Sequence, residues 1–221
     1  MIILKINFSL LEESLTIDKA TFLVLEEPQA FSNCVKQVYQ YSEEGMFKIF
    51  SSTCQSLKES EIMIVTDIMG FDVNIASVLK LIYADLEDQL NEKPEIKSKI
   101  NQLTSEINDI MNYELLDHEI DLEEDEEITF QELFKVLGIR IETKSDSIFE
   151  RVIEIVQMFK YLSKKKLLIL VNASSYFTDR ELEELIEYIS LLQIDVLFIE
   201  PRKRKVVSQY VIDEDFFVQF E

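Results

Sequence analysis

Two apolar runs, Leu167-Leu-Ile-Leu-Val171 and Val196-Leu-Phe-Ile199, constrain this chain more than any other feature. A strand that is apolar at every position must bury both faces. That happens in the middle of a parallel sheet with helices on each side. Thr16 to Leu25 contains a further strong strand, Ala20-Thr-Phe-Leu-Val-Leu25. The segments between them carry helical spacing. After Glu26-Glu27, Pro28 suits the first turn of a helix, where its missing N–H would go unpaired anyway. Phe31, Cys34, Val35, Val38 and Tyr41 then recur on one face. Residues 146–163 place Phe149, Val152, Val156 and Phe159 together, and Thr178-Asp-Arg-Glu181 is a capping box opening a helix through Ile189. Further strands are expected at residues 2–8, 46–50, 62–65 and 139–142, with a terminal hairpin or edge strand over 210–220. Alternating strands and helices at both ends predict a mostly parallel α/β fold.

The middle of the chain breaks that alternation. Ile75, Leu79, Ile82 and Leu86 form one narrow apolar seam, and Ile96, Ile100, Leu103, Ile107 and Ile110 form another. Such seams predict a packed helix pair turning at Asn91-Glu-Lys93, with Pro94 opening the second helix. Thr129-Phe-Gln-Glu132 is a second capping box, and Gly138 stands where a helix ends in a left-handed residue. The expected organisation is a head from residues 1–56 and 144–221, with a helical arm over 57–143.

Between the long helix and Thr129 lies a run of eight carboxylates from Asp117 to Glu127. Like charges at this density stay solvated or hold cations. The bland reading is a solvated acidic loop. The sharper one is a calcium site, with candidate ligands Glu119, Asp121, Glu123, Glu124, Asp125 and Glu127. The run is not an EF-hand, because it lacks the mid-loop Gly and the regular ligand spacing.

Composition removes several functions. The chain has 221 residues and a net charge of −21, of which −15 falls in residues 57–143. Broad nucleic-acid surfaces are basic, so any DNA contact must be a local basic face. A phosphate cradle needs glycines and a lysine. The first strand–helix turn, Leu25 to Phe31, has neither and adds two carboxylates, so ATP hydrolysis is not expected. The lone His118 beside the acids makes a poor catalytic base, and two cysteines with one histidine do not complete a zinc site. No run approaches membrane-spanning length, and a reduced cytoplasmic setting fits the unpaired cysteines. Three basic groups, Lys93/Lys97/Lys99, Lys164–Lys166 and Arg202–Lys205, read most simply as solvated helix ends and loops.

The stretches Asn7-Phe-Ser-Leu-Leu11, Phe22-Leu-Val-Leu-Glu26, Lys58-Glu-Ser-Glu-Ile-Met63 and Val65-Thr-Asp-Ile-Met-Gly-Phe-Asp-Val-Asn74 resemble the CRISPR-associated Csn-two family of streptococcal-like type II-A systems. Phe159-Lys-Tyr-Leu162, Lys164-Lys-Lys-Leu-Leu168, Val171-Asn172 and Val211-Ile-Asp-Glu-Asp215 extend the likeness over essentially the whole chain. The resemblance implies a degenerate P-loop/Rossmann-like head with an inserted all-helical leg. It implies a non-enzymatic protein of spacer acquisition: a homotetrameric ring, supported by calcium, that binds double-stranded DNA ends through a central hole. The adaptation integrase and the effector nuclease are the implied partners. Within that picture Lys135, Arg140 and Lys144 are expected to face the hole, with Lys48 and Lys58 as further DNA-binding candidates. Two rival readings stay open: a metal- or nucleotide-dependent enzyme acting on DNA, and a protein-interaction scaffold that does not bind DNA.

Overall fold

Strand β3 (Ala20–Leu25) lies inside a six-stranded sheet with parallel neighbours on both sides, β7 (Val196–Glu200) and β8 (Gln209–Ile212). The computed structural model describes residues 3–116, 118–120, 122, 127–143 and 147–221. The strand order is β5-β6-β7-β3-β8-β9, where β5 is Ile62–Val65, β6 is Leu167–Val171 and β9 is Val218–Phe220. Pairing is parallel from β5 to β8, and only β9 runs antiparallel. Both long apolar runs are therefore interior strands, and every residue of β6 and β7 is buried.

One face of this sheet presents Leu23, Leu25, Ile169, Leu197 and Ile199 to a core shared with Cys34 and Val38 of α1 (Pro28–Tyr39). Stacked rings of Phe22 and Phe198, 4.3 Å apart, mark the other face. There α6 (Asp179–Leu192) packs on β3, and α5 (Ile148–Tyr161) packs on α6. Burying Leu182, Leu185, Ile189, Val152, Ile155 and Val156 contributes roughly 1.5–3 kcal/mol per side chain.

The strands expected at residues 2–8 and 46–50 form, but outside the parallel sheet. β1 (Leu4–Asn7) pairs antiparallel with β2 (Leu15–Ile17) and with β4 (Lys48–Ser51), giving a separate sheet of order β2-β1-β4. Their alternating burial is the reason: a strand with one buried and one half-exposed face suits an antiparallel sheet backed on one side.

The chain divides into two compact units, residues 1–73 with 143–221, and residues 74–142. Residues 57–73 thus group with the sheet rather than with the helices, because Ile62–Val65 pairs along its length with β6. The helical unit holds α2 (Ala76–Asn91), α3 (Pro94–Leu115) and α4 (Phe130–Val136). Two expectations for it need correction. Residues 139–142 form no strand. Their backbone is taken by side chains instead: the Tyr83 hydroxyl donates to the Ile139 carbonyl at 2.9 Å, and the Asn74 amide brackets Ile141 at 2.8 and 3.2 Å. Nor is the apolar seam of α3 its buried face. Thr104 is the one buried residue of α3, its hydroxyl satisfied by the Ile100 and Asn101 carbonyls, while Ile96, Leu103, Ile107 and Ile110 are half or more exposed.

Candidate nucleic-acid interface and cation-binding segment

Helix α4 is short, so its placement comes from its ends and one buried ring. Thr129 and Glu132 cap each other: the Glu132 carboxylate accepts from Thr129 N at 2.9 Å, and Thr129 Oγ1 accepts from Glu132 N at 3.3 Å. That bonding holds the Glu132 carboxyl below the usual range. Phe134 is buried against Tyr83 (5.7 Å) and Phe130 (6.3 Å). Gly138, at φ +66°, ends the helix. Lys135 sits in the last turn, exposed, with a charge that suits a helix C-terminus. Arg140 is also exposed, and lies between Ile139 and Ile141, whose backbones are pinned as described. The fold thus anchors the backbone on both sides of two solvated cations. Lys144 lies outside the described residues. In the sheet unit Lys58 is exposed, while the half-buried Lys48 ammonium donates to the Glu43 carbonyl at 3.1 Å.

Of the calcium candidates, Glu119 and Glu127 are exposed, and Asp121, Glu123, Glu124 and Asp125 lie outside the described residues. Among the described residues, no three His, Cys, Asp or Glu side chains converge on a point that could hold a metal ion. Glu127 lines a cleft of about 450 Å³ in the helical unit, with Glu87, Asn101, Thr104, Ser105 and Asn108 as further oxygen-bearing walls. Lys97 is the cation there. Its ammonium donates to Asn91 Oδ1 at 2.6 Å and lies 5.3 Å from the centre of the Phe130 ring.

Besides Lys97, four cations of the basic clusters read from the sequence turn out to serve the fold. Lys165 donates to the Ile62 carbonyl, and burial pushes its pKa down. Lys166 pairs with Glu61 at 2.5 Å and holds that carboxyl below its ordinary range. Lys203 bridges Glu26 (3.5 Å) and Glu221 (3.2 Å). The Arg204 guanidinium binds the Ser174 and Phe177 carbonyls and Asp179.

At the end of β3, where a nucleotide-binding sheet would present backbone N–H groups to phosphate, Glu27 caps α1. Its carboxylate accepts from Ala30 N at 2.6 Å. An anion of the chain's own already takes the helix N-terminus. One buried acid escaped the sequence reading. Glu200 closes β7 at 1% exposure; Oε1 accepts from Ser174 N at 2.9 Å, and Oε2 has no partner among the described residues. Burial raises its pKa to about 7, against the opposing pull of the Ser174 bond and Arg204. Its place at the end of an apolar run was the only signal in the sequence.

Known proteins place this chain firmly. The family model described as CRISPR-associated protein (Cas_Csn2) matches residues 40–216. A CRISPR-associated protein Csn2 of Enterococcus faecalis is 54% identical over 218 residues, covering 99% of each chain. One of Streptococcus agalactiae is 50% identical over 215 residues, covering 97% of each. Among solved structures, the crystal structure of Stu0660 of Streptococcus thermophilus superposes with a TM-score of 0.57 at 13% identity. That match covers 99% of this chain and 76% of the other, a likeness of fold. With identity of this extent running along nearly its whole length, the chain belongs to the CRISPR-associated Csn2 family.

Proposed function

We propose that this chain is a non-enzymatic DNA-binding protein of CRISPR adaptation. It assembles as a homotetrameric ring that holds double-stranded DNA ends without reading their sequence, in the cytoplasm and with calcium as cofactor. The adaptation integrase and the type II-A effector nuclease are its proposed partners. Lys135 and Arg140 carry the DNA reading: two exposed cations on anchored backbone, whereas Lys97, Lys165, Lys166, Lys203 and Arg204 of the basic clusters are engaged within the fold. Lys144, Lys48 and Lys58 are secondary candidates. Phosphate contacts of this kind position a duplex without specifying bases.

The six-stranded sheet is read as the degenerate P-loop-like head, with the 74–142 unit as the inserted leg. The Glu27 cap supports this reading, since the chain's own carboxylate stands where a phosphate would bind. Self-assembly is supported by the α3 stripe of Ile96, Leu103, Ile107 and Ile110. Apolar residues at helical spacing, each half exposed or more, are what an unpaired helical interface looks like. A ring would repeat each lysine around one opening and focus a positive field inside an acidic molecule. Glu119, Asp121, Glu123, Glu124, Asp125 and Glu127 are the proposed calcium ligands, through oxygen atoms suited to a hard cation.

The test is a gel shift of linear and covalently closed circular duplex, in calcium and then in chelator. Retardation of the linear form in calcium, weakened by chelator and absent for the closed circle, is the expected result. Failure to retard linear DNA at physiological salt in calcium would overturn the reading and leave a scaffold that works through protein contacts.

A further inference from the structure

The sheet unit carries a strand edge that is open among the described residues. β9 closes the six-stranded sheet and, among the described residues, pairs only with β8. Reciprocal bonds between Gln209 and Glu221, at 2.9 and 3.0 Å, fix the phase of that ladder. Bonded and non-bonded pairs alternate in an antiparallel ladder, so Gln219 bonds inward while the N–H and C=O of Val218 and Phe220 point to the free edge.

Edges are normally blunted with charge, proline or a bulge. This one is dressed with apolar side chains, three of them aromatic: Phe216, Phe217, Val218 and Phe220 are 49%, 66%, 40% and 65% exposed. Phe216 occupies φ +64° in the hairpin turn, a left-handed position that a glycine would take without strain. The strained backbone instead puts a ring beside the groove.

That groove, about 870 Å³, runs between β9 and the segment Ser9–Thr16. Its charged wall residues are Glu12 and Glu13, with no lysine or arginine among the described lining residues. Glu214 and Asp215, exposed in the hairpin turn, add negative charge next to Phe216. A second copy pairing edge to edge would press two acidic rims together. An extended segment with alternating apolar residues and Lys or Arg at its ends meets both the rings and the acids.

We infer that this groove receives an extended, basic-ended segment of a partner protein, which adds a strand to the free edge of β9. Backbone bonds to Val218 and Phe220 supply the pairing, the exposed rings take the apolar side chains, and the acids select the charge. None of these residues belongs to the helical unit that carries Lys135 and Arg140, so the site stands whether or not the DNA reading does.

The probe is a fluorescein-labelled peptide, Arg-Lys-Val-Thr-Phe-Thr-Val-Lys-Arg, followed by anisotropy. An acid-ended version, Glu-Glu-Val-Thr-Phe-Thr-Val-Glu-Glu, is the comparison. The basic peptide should bind, and the acid-ended one should bind at least about tenfold more weakly. Val218→Pro removes an edge N–H while leaving the bonds to β8, and should weaken binding about tenfold. Circular dichroism checks that variant's fold. Glu12→Lys with Glu13→Lys, on an exposed turn, gives a second reading independent of the strand and should weaken binding similarly. Equal binding of both peptides, no binding of either, or full binding to the double lysine variant overturns the inference. So does a Val218→Pro variant that changes oligomeric state in sedimentation while wild type ignores the peptide, because the edge would then be a contact between copies.

Discussion

Replacing Glu200 with Gln should make the protein more stable at pH 8 and leave it little changed at pH 4. Glu200 is 1% exposed, with Oε2 unpartnered among the described residues, so its charged form is compensated only in part by the Ser174 bond and Arg204. Burial raises its pKa from 4.5 to about 7 in the native state. Below the unfolded value both states hold the proton and the burial penalty is absent. As pH rises from 4.5 toward 7 the unfolded chain releases its proton while the native state keeps it, so stability falls across that window. At 1.36 kcal/mol per pH unit the gap between the two pKa values is worth about 3 kcal/mol. Glutamine keeps an oxygen for Ser174 N but does not titrate. Its advantage over wild type should therefore grow by about 3 kcal/mol between pH 4 and pH 8. For a chain of this size that is roughly 6–12 °C in Tm. Urea unfolding followed by circular dichroism at several pH values reads the difference directly, and subtracting wild type cancels the other acids. Parallel pH profiles for the two proteins would refute the reasoning, because Glu200 would then be ionised or solvated in the native state.

Three further outcomes follow from the geometry. Lys135→Ala with Arg140→Ala should flatten the salt dependence of DNA affinity by about 0.9 per lost phosphate contact, close to two units for each chain that touches the duplex; an unchanged slope in anisotropy titrations removes both residues from the interface. Leu103→Asp with Ile107→Asp places charge on an exposed stripe, so the fold should survive while sedimentation velocity shifts to smaller species; unchanged sedimentation would exclude α3 from assembly. Glu27→Ala should cost about 1 kcal/mol in thermal unfolding through the lost cap on α1, and Glu27→Ser should recover most of it; a Glu27→Ala variant as stable as wild type would mean the carboxylate bond is not made.

The parallel strands were legible because burial on both faces leaves no freedom in residue type: Leu167–Val171 has one reading. Capping boxes at Thr129 and Thr178 were equally plain, since the two bonds depend on residues three apart. The small antiparallel sheet was harder. Alternation in Leu4–Asn7 tells that one face is buried, not which sheet buries it. Residues 139–142 misled because the alternation of Ile139 and Ile141 with Arg140 and Glu142 also suits an extended segment whose partners are side chains such as Asn74 and Tyr83. The α3 seam misled in the opposite sense: apolar periodicity shows that a face wants burial, and a helix can keep that face for another chain. Membership of the Csn2 family was legible in the quoted blocks, whereas Glu200 and the β9 edge were not, because both depend on neighbours far along the chain.

The distribution of bonded cations bears on where DNA can bind. In the sheet unit Lys19, Arg151, Lys160, Lys165, Lys166, Arg180, Lys203 and Arg204 each hold a carboxylate or a carbonyl of the same unit. Moving them to phosphate would give up contacts that secure strands and helix ends. Lys135 and Arg140 hold no such side-chain bond among the described residues. They share the helical unit with the run of eight carboxylates, which begins near the end of α3 and stops eight residues before Lys135. An approaching duplex would feel those acids unless something neutralised them. Calcium and DNA binding are therefore coupled in the proposed function, and the coupling has a signature. Charge-neutral replacement of the acids, Glu123→Gln with Asp125→Asn, should make DNA affinity less sensitive to chelator than it is in wild type. Were that variant to lose DNA binding in calcium while keeping its fold, the acids would be ordering the interface through bound metal rather than merely opposing the duplex.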